Sequence, residues 1–480
     1  MSESRIRAPE LPAQLEWFNT GQPVKLAEQR GKVVILDFWT YCCINCVHVL
    51  ADLRYLEEKY RDGLTVIGVH SPKFPNERVA RQVQKAVNRY HIRHPVANDP
   101  ELRLWRTYGI KAWPSLVFID AEGYIVGVLR GEGHRRKLDQ LIAEHLDKAE
   151  DNRVRQRSPM PFKPSPEPPS ALSFPGKVLA TAERLYISDS GRNRVLETNH
   201  FGRVLRVFGS GSAGLLDNTA DSAAFNNPQG LALVDEFLYV ADTDNHAIRR
   251  VRLRTGDVDT IAGTGAQGRG AGTFFDDPIK ASLNSPWDLA YGDGSLFIAM
   301  AGQHQIWRLH LTNNTIGVYA GSGREGITDG PAAQASFAQP SGLAVADERL
   351  FVADSETSAI RQVRLPFNTV STLVGTGLFE FGDVDGAGRA ARLQHPLGIS
   401  VDPARGRLWI ADTYNSKIKT MPLKSNSVST LKIGYALDEP GGLSVHGDLL
   451  FVANTNAHEI VRVDLARKKV EPMEIVTLDD

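Results

Sequence analysis

The amino-acid sequence predicts a multidomain protein in which an α/β domain precedes a larger all-β domain. Strand and helix patterns alternate from the start of the chain to about residue 150. Six prolines then fall between Pro159 and Pro169. Beyond them, one pattern of short strands returns at intervals of 44 to 58 residues. We therefore expect an α/β domain at 1–150, a proline-rich linker at 151–173 and an all-β domain at 174–480.

The overall composition indicates which kinds of binding partner and which compartment to expect. The 55 Lys and Arg residues nearly balance the 56 Asp and Glu residues, so the formal net charge is −1. Such a balance does not favour nucleic acid or an anionic membrane as a partner. The first residues lack the apolar stretch of a secretory signal, and three cysteines in 480 residues do not suggest a disulfide-stapled secreted protein. We expect a cytoplasmic protein with no nucleic-acid or membrane partner.

The elements of the α/β domain follow from local patterns. The run "KVVILDFW" is continuously apolar, as in the buried strands of a parallel sheet, and "LTVIGVHS" repeats that pattern. The stretch from Ser115 to Gly131 predicts a hairpin that turns at Glu122 and Gly123. Apolar residues at helical spacing predict three helices, which cover 49–60, 76–92 and 135–150.

All three cysteines lie in "LDFWTYCCINCVHVL", directly after the first predicted strand. Cys43 and Cys46 have Cys-x-x-Cys spacing, and Cys42 precedes them. At the start of a helix, Cys43 would meet free backbone N–H groups and the positive end of the dipole, which favour the thiolate. Cys46 would lie one turn later on the same face, where it can attack a mixed disulfide on Cys43. This spacing predicts a redox dithiol.

The same stretch resembles the thioredoxin-like family, and its redoxin branch in particular. Asp37, in "DFW" with Trp39, falls on the buried acid of that family, which assists proton transfer at the second thiol. Pro114, in "AWPSLVFID", falls on the family's cis-proline, which presents a backbone edge to an extended thiol substrate. The resemblance thus implies that Cys43, Cys46, Asp37 and Pro114 form a catalytic site.

The sequence also departs from the common family pattern. Ile44 and Asn45 replace the usual Gly-Pro, so the reduction potential cannot be carried over. The bulky Trp113 before the proline is expected to narrow the substrate groove. Cys42 is an additional thiol that competes with Cys46 or forms a mixed disulfide of its own. His48 is expected to be an ordinary helix residue whose charge can bias a nearby thiolate.

Three other interpretations of the cysteines stay open. A zinc site would need four donors, and only His48 is near enough in sequence to join the three thiols. A peroxidase is suggested by Thr40 and Cys43, which match a T-x-x-C motif, although Leu36 stands where a proline is expected. Finally, the α/β domain can have kept its fold and lost its redox role. We expect neither a metal nor another cofactor.

From residue 174 onward the sequence repeats itself six times. Each copy contains four short strand signals, which in the second copy are "GLAL", "FLYVAD", "AIRRVRL" and "DVDTIAG". One four-stranded antiparallel sheet per copy predicts a six-bladed β-propeller. The copies begin at Phe174, Pro228, Pro286, Pro340, Pro396 and Pro440.

The copies share motifs that resemble the NHL repeat. An acid or amide ends the second strand of five copies, at Asp189, Asp242, Asp354, Asp412 and Asn454. This recurrence favours a structural role, the capping of a turn, over metal or substrate binding. Histidines recur at one position in three copies, where a polar turn residue is the preferred interpretation over a zinc ligand. The glycine-rich stretches such as "GTGAQGRGAG" open no helix and are interpreted as inter-blade loops.

A thioredoxin-like domain followed by NHL repeats implies two alternative functions. The first is a thiol–disulfide oxidoreductase in which the propeller holds a protein substrate carrying a disulfide or thiol, with an unidentified reductase as electron donor. The second is a non-catalytic scaffold whose cysteines are a redox sensor or a relic. The identity of the client, the role of Cys42 and the binding face of the propeller do not follow from the sequence.

Overall fold

The structure is a computed structural model that describes residues 5–270 and 274–476. The chain forms two compact units, divided between Pro168 and Pro169. We call the first the α/β unit and the second the propeller. None of the helices in these described residues combines the length and the apolar character needed to span a membrane.

The α/β unit is built on one six-stranded sheet with the order β1-β4-β3-β2-β5-β6. Strands β2, β3 and β4 are parallel, whereas β1, β5 and β6 run antiparallel to their neighbours. The strands are β1 (Glu16–Phe18), β2 (Val33–Trp39), β3 (Leu64–His70), β4 (Val96–Asn98), β5 (Ser115–Ile119) and β6 (Ile125–Arg130). The helices are α1 (Ile44–Lys59), α2 (Ala80–Arg89), α3 (Arg103–Thr107) and α4 (Arg135–Asp151).

Strand β2 is the centre of the unit, and all seven of its residues are buried. Val33 and Ile35 pack with apolar residues of α1 and α4, whereas Val34, Leu36 and Phe38 pack on the opposite face of the sheet. Because side chains alternate along a strand, a residue two positions after Ile35 also faces α1. This alternation places Asp37 under the helix that carries the cysteines.

The predicted helix over 76–92 is shorter in the structure. A 3-10 turn occupies Pro75–Arg78, and the α-helix begins only at Ala80 and ends at Arg89. The Glu77 carboxylate accepts hydrogen bonds from the backbone N–H groups of Lys73 and Phe74, and this closes the turn ahead of the helix. The helical periodicity is thus overridden locally by the buried Glu77 side chain, which binds backbone N–H groups of preceding residues.

The proline-rich segment predicted as a linker is fastened along the α/β unit as far as Pro168. Gln156 donates its backbone N–H to Gly31, and Lys163 donates to Asn19. Glu167 pairs with Lys85 at 2.6 Å. Extended proline-rich chain has few backbone donors of its own, so these side-chain and main-chain contacts with the unit determine its course.

The propeller consists of six four-stranded antiparallel blades, two of which carry a further two-residue strand. Blades 1 and 2 comprise Val178–Ala180, Leu185–Asp189, Arg194–Thr198 and Val204–Phe208, then Pro228–Val234, Phe237–Asp242, Ala247–Arg252 and Val258–Ala262. Blades 3 and 4 comprise Pro286–Gly292, Ser295–Met300, Gln305–His310 and Thr315–Ala320, then Gly330–Pro331, Pro340–Ala346, Arg349–Asp354, Ala359–Arg364 and Thr369–Val374. Blades 5 and 6 comprise Gly386–Ala387, Gly398–Asp402, Arg407–Asp412, Lys417–Pro422 and Ser427–Thr430, then Pro440–His446, Leu449–Asn454, Glu459–Asp464 and Lys469–Pro472.

The recurring histidine position has a structural role in each blade. His246 adopts a positive φ of 49° after the second strand, and its Nδ1 accepts the backbone N–H of Ser285, which precedes the next blade. His458 does the same for Phe174 at 3.1 Å, so this bond joins blade 6 to blade 1. The equivalent acceptors in the other blades are Asn193, His304, Ser358 and Ser416. The shared position therefore links consecutive blades.

The recurring acid is also structural, although its contacts extend beyond the turn. Asp242 Oδ1 accepts the backbone N–H of Asn226, sixteen residues earlier, at 2.7 Å. Its Oδ2 lies 2.8 Å from Nη1 of Arg249, and both side chains have no exposed surface. Arg249 also pairs with Asp217 from the preceding loop at 2.8 Å. Equivalent clusters form around Arg361 in blade 4 and Lys419 in blade 5.

A single lysine crosses the centre of the propeller. Lys177, from blade 1, lies with its Nζ 3.3 Å from Asp288 Oδ2 in blade 3 and donates to the Ser341 carbonyl in blade 4 at 2.8 Å. It also donates to the Leu397 carbonyl ahead of the innermost strand of blade 5. Burial lowers the pKa of Lys177, and Asp288 opposes that effect. The ring of blades is thus tied across its axis.

Candidate functional site

The cysteine segment forms the connection between β2 and α1. Cys43 is the N-cap of α1, with extended backbone angles of −87° and 115°. Its carbonyl accepts the N–H groups of Cys46 at 3.0 Å and Val47 at 3.2 Å, which begins the helix. Cys43 is partly exposed, whereas Cys46 is completely buried. The predicted order of strand, turn, first cysteine and second cysteine is therefore present, and its catalytic role stays a prediction.

The first thiol of the Cys-x-x-Cys pair influences the ionisation of the second. Cys46 lies near enough to Cys43 for the Cys43 thiol to shift its pKa, and all three cysteines are free in this structure. Burial raises the pKa of Cys46 well above its ordinary value, and the neighbouring Cys43 thiol and Asp37 raise it further. Cys46 consequently remains a thiol at neutral pH until a base removes its proton. Cys43, at the helix end and reachable from solvent, is the better placed nucleophile.

Asp37 is a buried acid on the face of β2 that lies under α1. Neither of its carboxyl oxygens has a hydrogen-bond partner within the described residues, and the side chain has no exposed surface. Burial raises its pKa to about 7, an effect that the charge of His94 reduces and that of Glu57 increases. A carboxyl group with this pKa changes its protonation near neutral pH, which suits it to accept and return a proton.

We expect Asp37→Asn to change how the stability of the α/β unit depends on pH. In the folded chain the Asp37 carboxyl has a pKa of about 7 instead of its ordinary 3.8, so it binds its proton more tightly than in the unfolded chain. Its contribution to the free energy of unfolding is therefore full below pH 4 and is lost as the pH rises through about 7. Relative to Asp37→Asn, the wild type should lose about 3 kcal/mol between pH 5 and pH 8.

Chemical unfolding at both pH values, followed by hydrogen exchange in peptides of β2 and β3, measures this difference for the α/β unit alone. Glu58→Gln is the matched control, because Glu58 is an exposed acid on α1. An equal loss of stability in wild type and Asp37→Asn would show that Asp37 is ionised throughout this pH range.

Pro114 lies at the entrance to β5, and the bond from Trp113 to Pro114 is cis. Gly131 donates its N–H to the Pro114 carbonyl at 2.9 Å. The Trp113 indole donates to the Ser71 carbonyl at 2.8 Å and packs against Trp105, with ring centroids 4.4 Å apart. Trp113 is thus anchored by its side chain, while its own N–H and C=O make no main-chain hydrogen bond within the described residues.

The auxiliary residues predicted from the sequence have separate environments. Cys42 is buried, and its sulfur lies 3.7 Å from Thr40 Oγ1. Trp39 is also buried and contacts His70 edge to face, with ring centroids 5.2 Å apart. His48 Nδ1 lies 2.6 Å from Glu132 Oε2, on the turn that follows β6. His48 is therefore hydrogen-bonded to Glu132.

Glu77 is a residue of this region that sequence reasoning missed. Its completely buried carboxylate accepts the Thr40 hydroxyl at 2.7 Å and the Cys42 N–H at 2.9 Å. It thereby fixes the turn in front of Cys43 to the segment that follows β3. The available sequence signal was Pro75 with an acid two residues later, which is typical of the first turn of a helix.

These contacts bear on the two alternative chemistries. The peroxidase interpretation requires the Thr40 hydroxyl beside Cys43, but this hydroxyl donates its hydrogen bond to Glu77. His48, which the zinc interpretation requires with the cysteines, is paired with Glu132. In the part of the chain that the structure describes, no three His, Cys, Asp or Glu side chains are grouped as metal ligands. The arrangement fits dithiol chemistry better than either alternative.

Comparison with known proteins identifies both units. A thioredoxin-like family model matches residues 31–125, and the NHL repeat matches residues 225–250 and 393–420. NHL repeat-containing protein 2 of Gallus gallus is 42% identical over 99% of this chain and 72% of its own length. Protein SUPPRESSOR OF QUENCHING 1, chloroplastic, of Arabidopsis thaliana is 40% identical over 99% of this chain and 48% of its own length.

A third relative matches the α/β unit alone. Thiol-disulfide oxidoreductase ResA of Bacillus cereus is 26% identical over 25% of this chain and 68% of its own length. The thioredoxin-like domain therefore has thiol-disulfide oxidoreductases among its relatives, and the predicted fold class, a thioredoxin-like domain before a six-bladed propeller, is confirmed.

Proposed function

Since the chain belongs to the family of NHL repeat-containing protein 2, with a thioredoxin-like domain ahead of an NHL-repeat propeller, we propose that it is a protein thiol–disulfide oxidoreductase. One observation carries this proposal. The partly exposed Cys43 at the N-cap of α1 lies one helical turn from the buried Cys46, near enough to raise its pKa, and an acid with a pKa of about 7 lies beside them.

The proposed reaction reduces a client disulfide at the expense of the enzyme dithiol. The Cys43 thiolate attacks one client sulfur, a mixed disulfide forms, and the first client thiolate leaves. Asp37 then takes the proton of Cys46, whose thiolate attacks Cys43 and displaces the second client thiolate. Two electrons pass from the enzyme to the client, the leaving thiolates take protons from solvent, and the enzyme retains a Cys43–Cys46 disulfide.

The Trp113–Pro114 edge is the proposed docking site for the client. Trp113 lies at the entrance to β5, and its backbone N–H and C=O groups form no main-chain hydrogen bond within the described residues. An extended client strand can pair with such groups by strand addition, which positions a disulfide for attack. A second dithiol protein must return two electrons to the enzyme after each turnover. In a reducing cytoplasm, the compartment expected from the sequence, the net reaction would be disulfide reduction.

The experiment that tests this function is the reduction of insulin disulfides with dithiothreitol as electron donor. The wild type should accelerate the reaction, and Cys43→Ser should fall to the uncatalysed rate. Cys42→Ser is the matched control, because it removes the buried neighbouring thiol and leaves the proposed pair intact. Equal rates with wild type and Cys43→Ser would overturn the proposal and favour the scaffold.

Client binding by the propeller is the second part of the proposal. A cavity of about 250 Å³ opens among the innermost strands of all six blades, and aliphatic residues line it together with polar groups such as Lys177 and Asp288. Tyr291 lies in this wall, and 44% of its surface is exposed. Aromatic side chains of this kind often dominate the energy of protein interfaces.

We expect Tyr291→Ser to weaken binding of a protein client that uses this opening. The KM for the client should rise about tenfold with kcat unchanged, because the variant leaves the cysteine pair intact. Turnover of a small aromatic disulfide, which needs only the α/β unit, serves as the control. An unchanged KM for a native client would assign client holding to another surface.

A further inference from the structure

A second pair of titratable residues lies behind the proposed site. His94 precedes β4, and Glu57 is on α1, three turns after Cys46. His94 Nδ1 is 3.3 Å from Glu57 Oε2. The His94 side chain is 4% exposed and the Glu57 side chain is 25% exposed. The pair therefore runs from the interior of the α/β unit to its surface.

The inner end of this pair faces the same space as Asp37. Asp37 is the register partner of Gly68 on β3, and both residues face α1. A methyl group at residue 68 would lie 3.1 Å from Trp39 Nε1 and 3.4 Å from His94 Nε2. Because Gly68 has no side chain, the His94 ring reaches over β3 toward the acid on β2.

The groups at this position lack partners on their inward sides. His94 Nε2 and both oxygens of Asp37 are buried and have no hydrogen-bond partner among residues 5–270 and 274–476. Asn19 donates to the His94 carbonyl at 3.2 Å and so fixes the backbone that carries the ring. A buried imidazole that has one nitrogen on a partly exposed acid and the other unbonded in the neighbourhood of a buried acid suits proton transfer between them.

From this geometry we infer that His94 and Glu57 form a proton path between Asp37 and solvent. The inference rests on the proposed function, since it assigns these two positioning residues to the step in which Cys46 resolves the mixed disulfide. The proton that Asp37 receives from Cys46 passes through a bridging water molecule to His94 Nε2, since these two groups are not hydrogen-bonded to each other. The proton on Nδ1 passes to Glu57 and then to water, and the Asp37 carboxylate is restored for the next turnover.

The charged and titratable neighbours of Asp37 allow a specific pH test. They are Cys46 and Glu57 on α1, His94 before β4, and the buried His70 on β3. Burial lowers the pKa of His70 to about 4, so that ring is neutral in the range concerned. The negative charge of Glu57 raises the pKa of Asp37, and His94 lowers it whenever its ring carries the transferred proton. Replacing Glu57 should therefore lower the pKa of Asp37, and replacing His94 should raise it.

The test combines Asp37 titration with the rate of resolution. The carboxyl carbon resonance of Asp37 should titrate near pH 7 in the wild type. Its midpoint should fall by about half a unit in Glu57→Gln and rise by a similar amount in His94→Gln. In both variants, release of the second client thiol from a preformed mixed disulfide should slow about tenfold. Formation of that mixed disulfide at Cys43 should be unchanged.

Glu58→Gln is the control, because it neutralises an exposed acid on the same helix. It should behave as the wild type. If both variants kept the Asp37 titration midpoint and the resolution rate of the wild type, the relay would be overturned. Turnover by the wild type would still support the oxidoreductase. Shifts in the same direction would indicate a structural disturbance and would also overturn it. Absence of turnover in the wild type itself would overturn the proposed function, whereas the titration of Asp37 would still report on its coupling to the pair.

Discussion

The Cys46→Ser variant is expected to accumulate a client protein in a stable mixed disulfide at Cys43. The partly exposed Cys43 can still attack a client disulfide, whereas the buried neighbouring thiol that is proposed to displace the client is gone. The rate of resolution should fall by about a thousandfold or more, because a serine hydroxyl at this position is a very poor nucleophile toward sulfur. Non-reducing electrophoresis followed by mass spectrometry measures the trapped species.

Two further variants make this result specific. Cys43→Ser should trap nothing, because Cys46 is completely buried and has a raised pKa. Cys42→Ser combined with Cys46→Ser should trap as much as Cys46→Ser alone. A mixed disulfide that maps to Cys42 would contradict the assigned order of the thiols.

The Arg249→Met variant is expected to destabilise the propeller by about 3–5 kcal/mol. Arg249 and Asp242 are both completely buried, and the guanidinium also donates to the Ala224 and Leu216 carbonyls. Methionine fills similar space but leaves the Asp242 charge without its cation. Chemical unfolding followed by hydrogen exchange in peptides of blade 2 measures the free energy of unfolding.

The neighbouring Arg250 provides a matched control. Its side chain is 31% exposed and pairs with Asp259, which is 44% exposed. Arg250→Met should change stability by about 1 kcal/mol or less, since exposed ion pairs contribute little. Equal destabilisation by the two variants would show that the buried cluster is not a principal source of blade stability.

The sequence was sufficient for those parts of the site that are local. The spacing of Cys43 and Cys46 after a buried strand predicted a helix that starts at the first thiol. The position of Asp37 on that strand placed it two residues before the strand's end, and the structure buries it under the same helix. The start of the helix followed from helix geometry and local spacing, whereas the buried role of Asp37 followed from the resemblance to the thioredoxin-like family.

The rest of the site depends on segments that are distant in sequence. Glu77 reaches Thr40 across 37 residues, and His94 reaches Glu57 across a further 37. Neither acid had a pattern that distinguished it from an exposed helix residue. Gly68 gave no signal either, because the reason for a missing side chain is visible only once Trp39 and His94 lie over it.

The propeller shows the same division. Repetition predicted six blades and a structural role for the recurring Asp and His positions. It did not predict that Asp242 caps a residue in the preceding loop or that His458 joins blade 6 to blade 1, because both contacts depend on how successive blades are arranged. The linker prediction gave no sign that the proline-rich segment would be fastened to the α/β unit.

The central claim is that Cys43 and Cys46, and not Cys42, form the redox pair. Its most direct test is to oxidise the wild-type protein with one equivalent of a client disulfide, alkylate the free thiols, reduce the protein and label the newly released thiols with a second reagent. Fragmentation of the peptide that carries all three cysteines then locates each label. We expect the second label on Cys43 and Cys46, with Cys42 alkylated first, whereas a second label on Cys42 would contradict the claim.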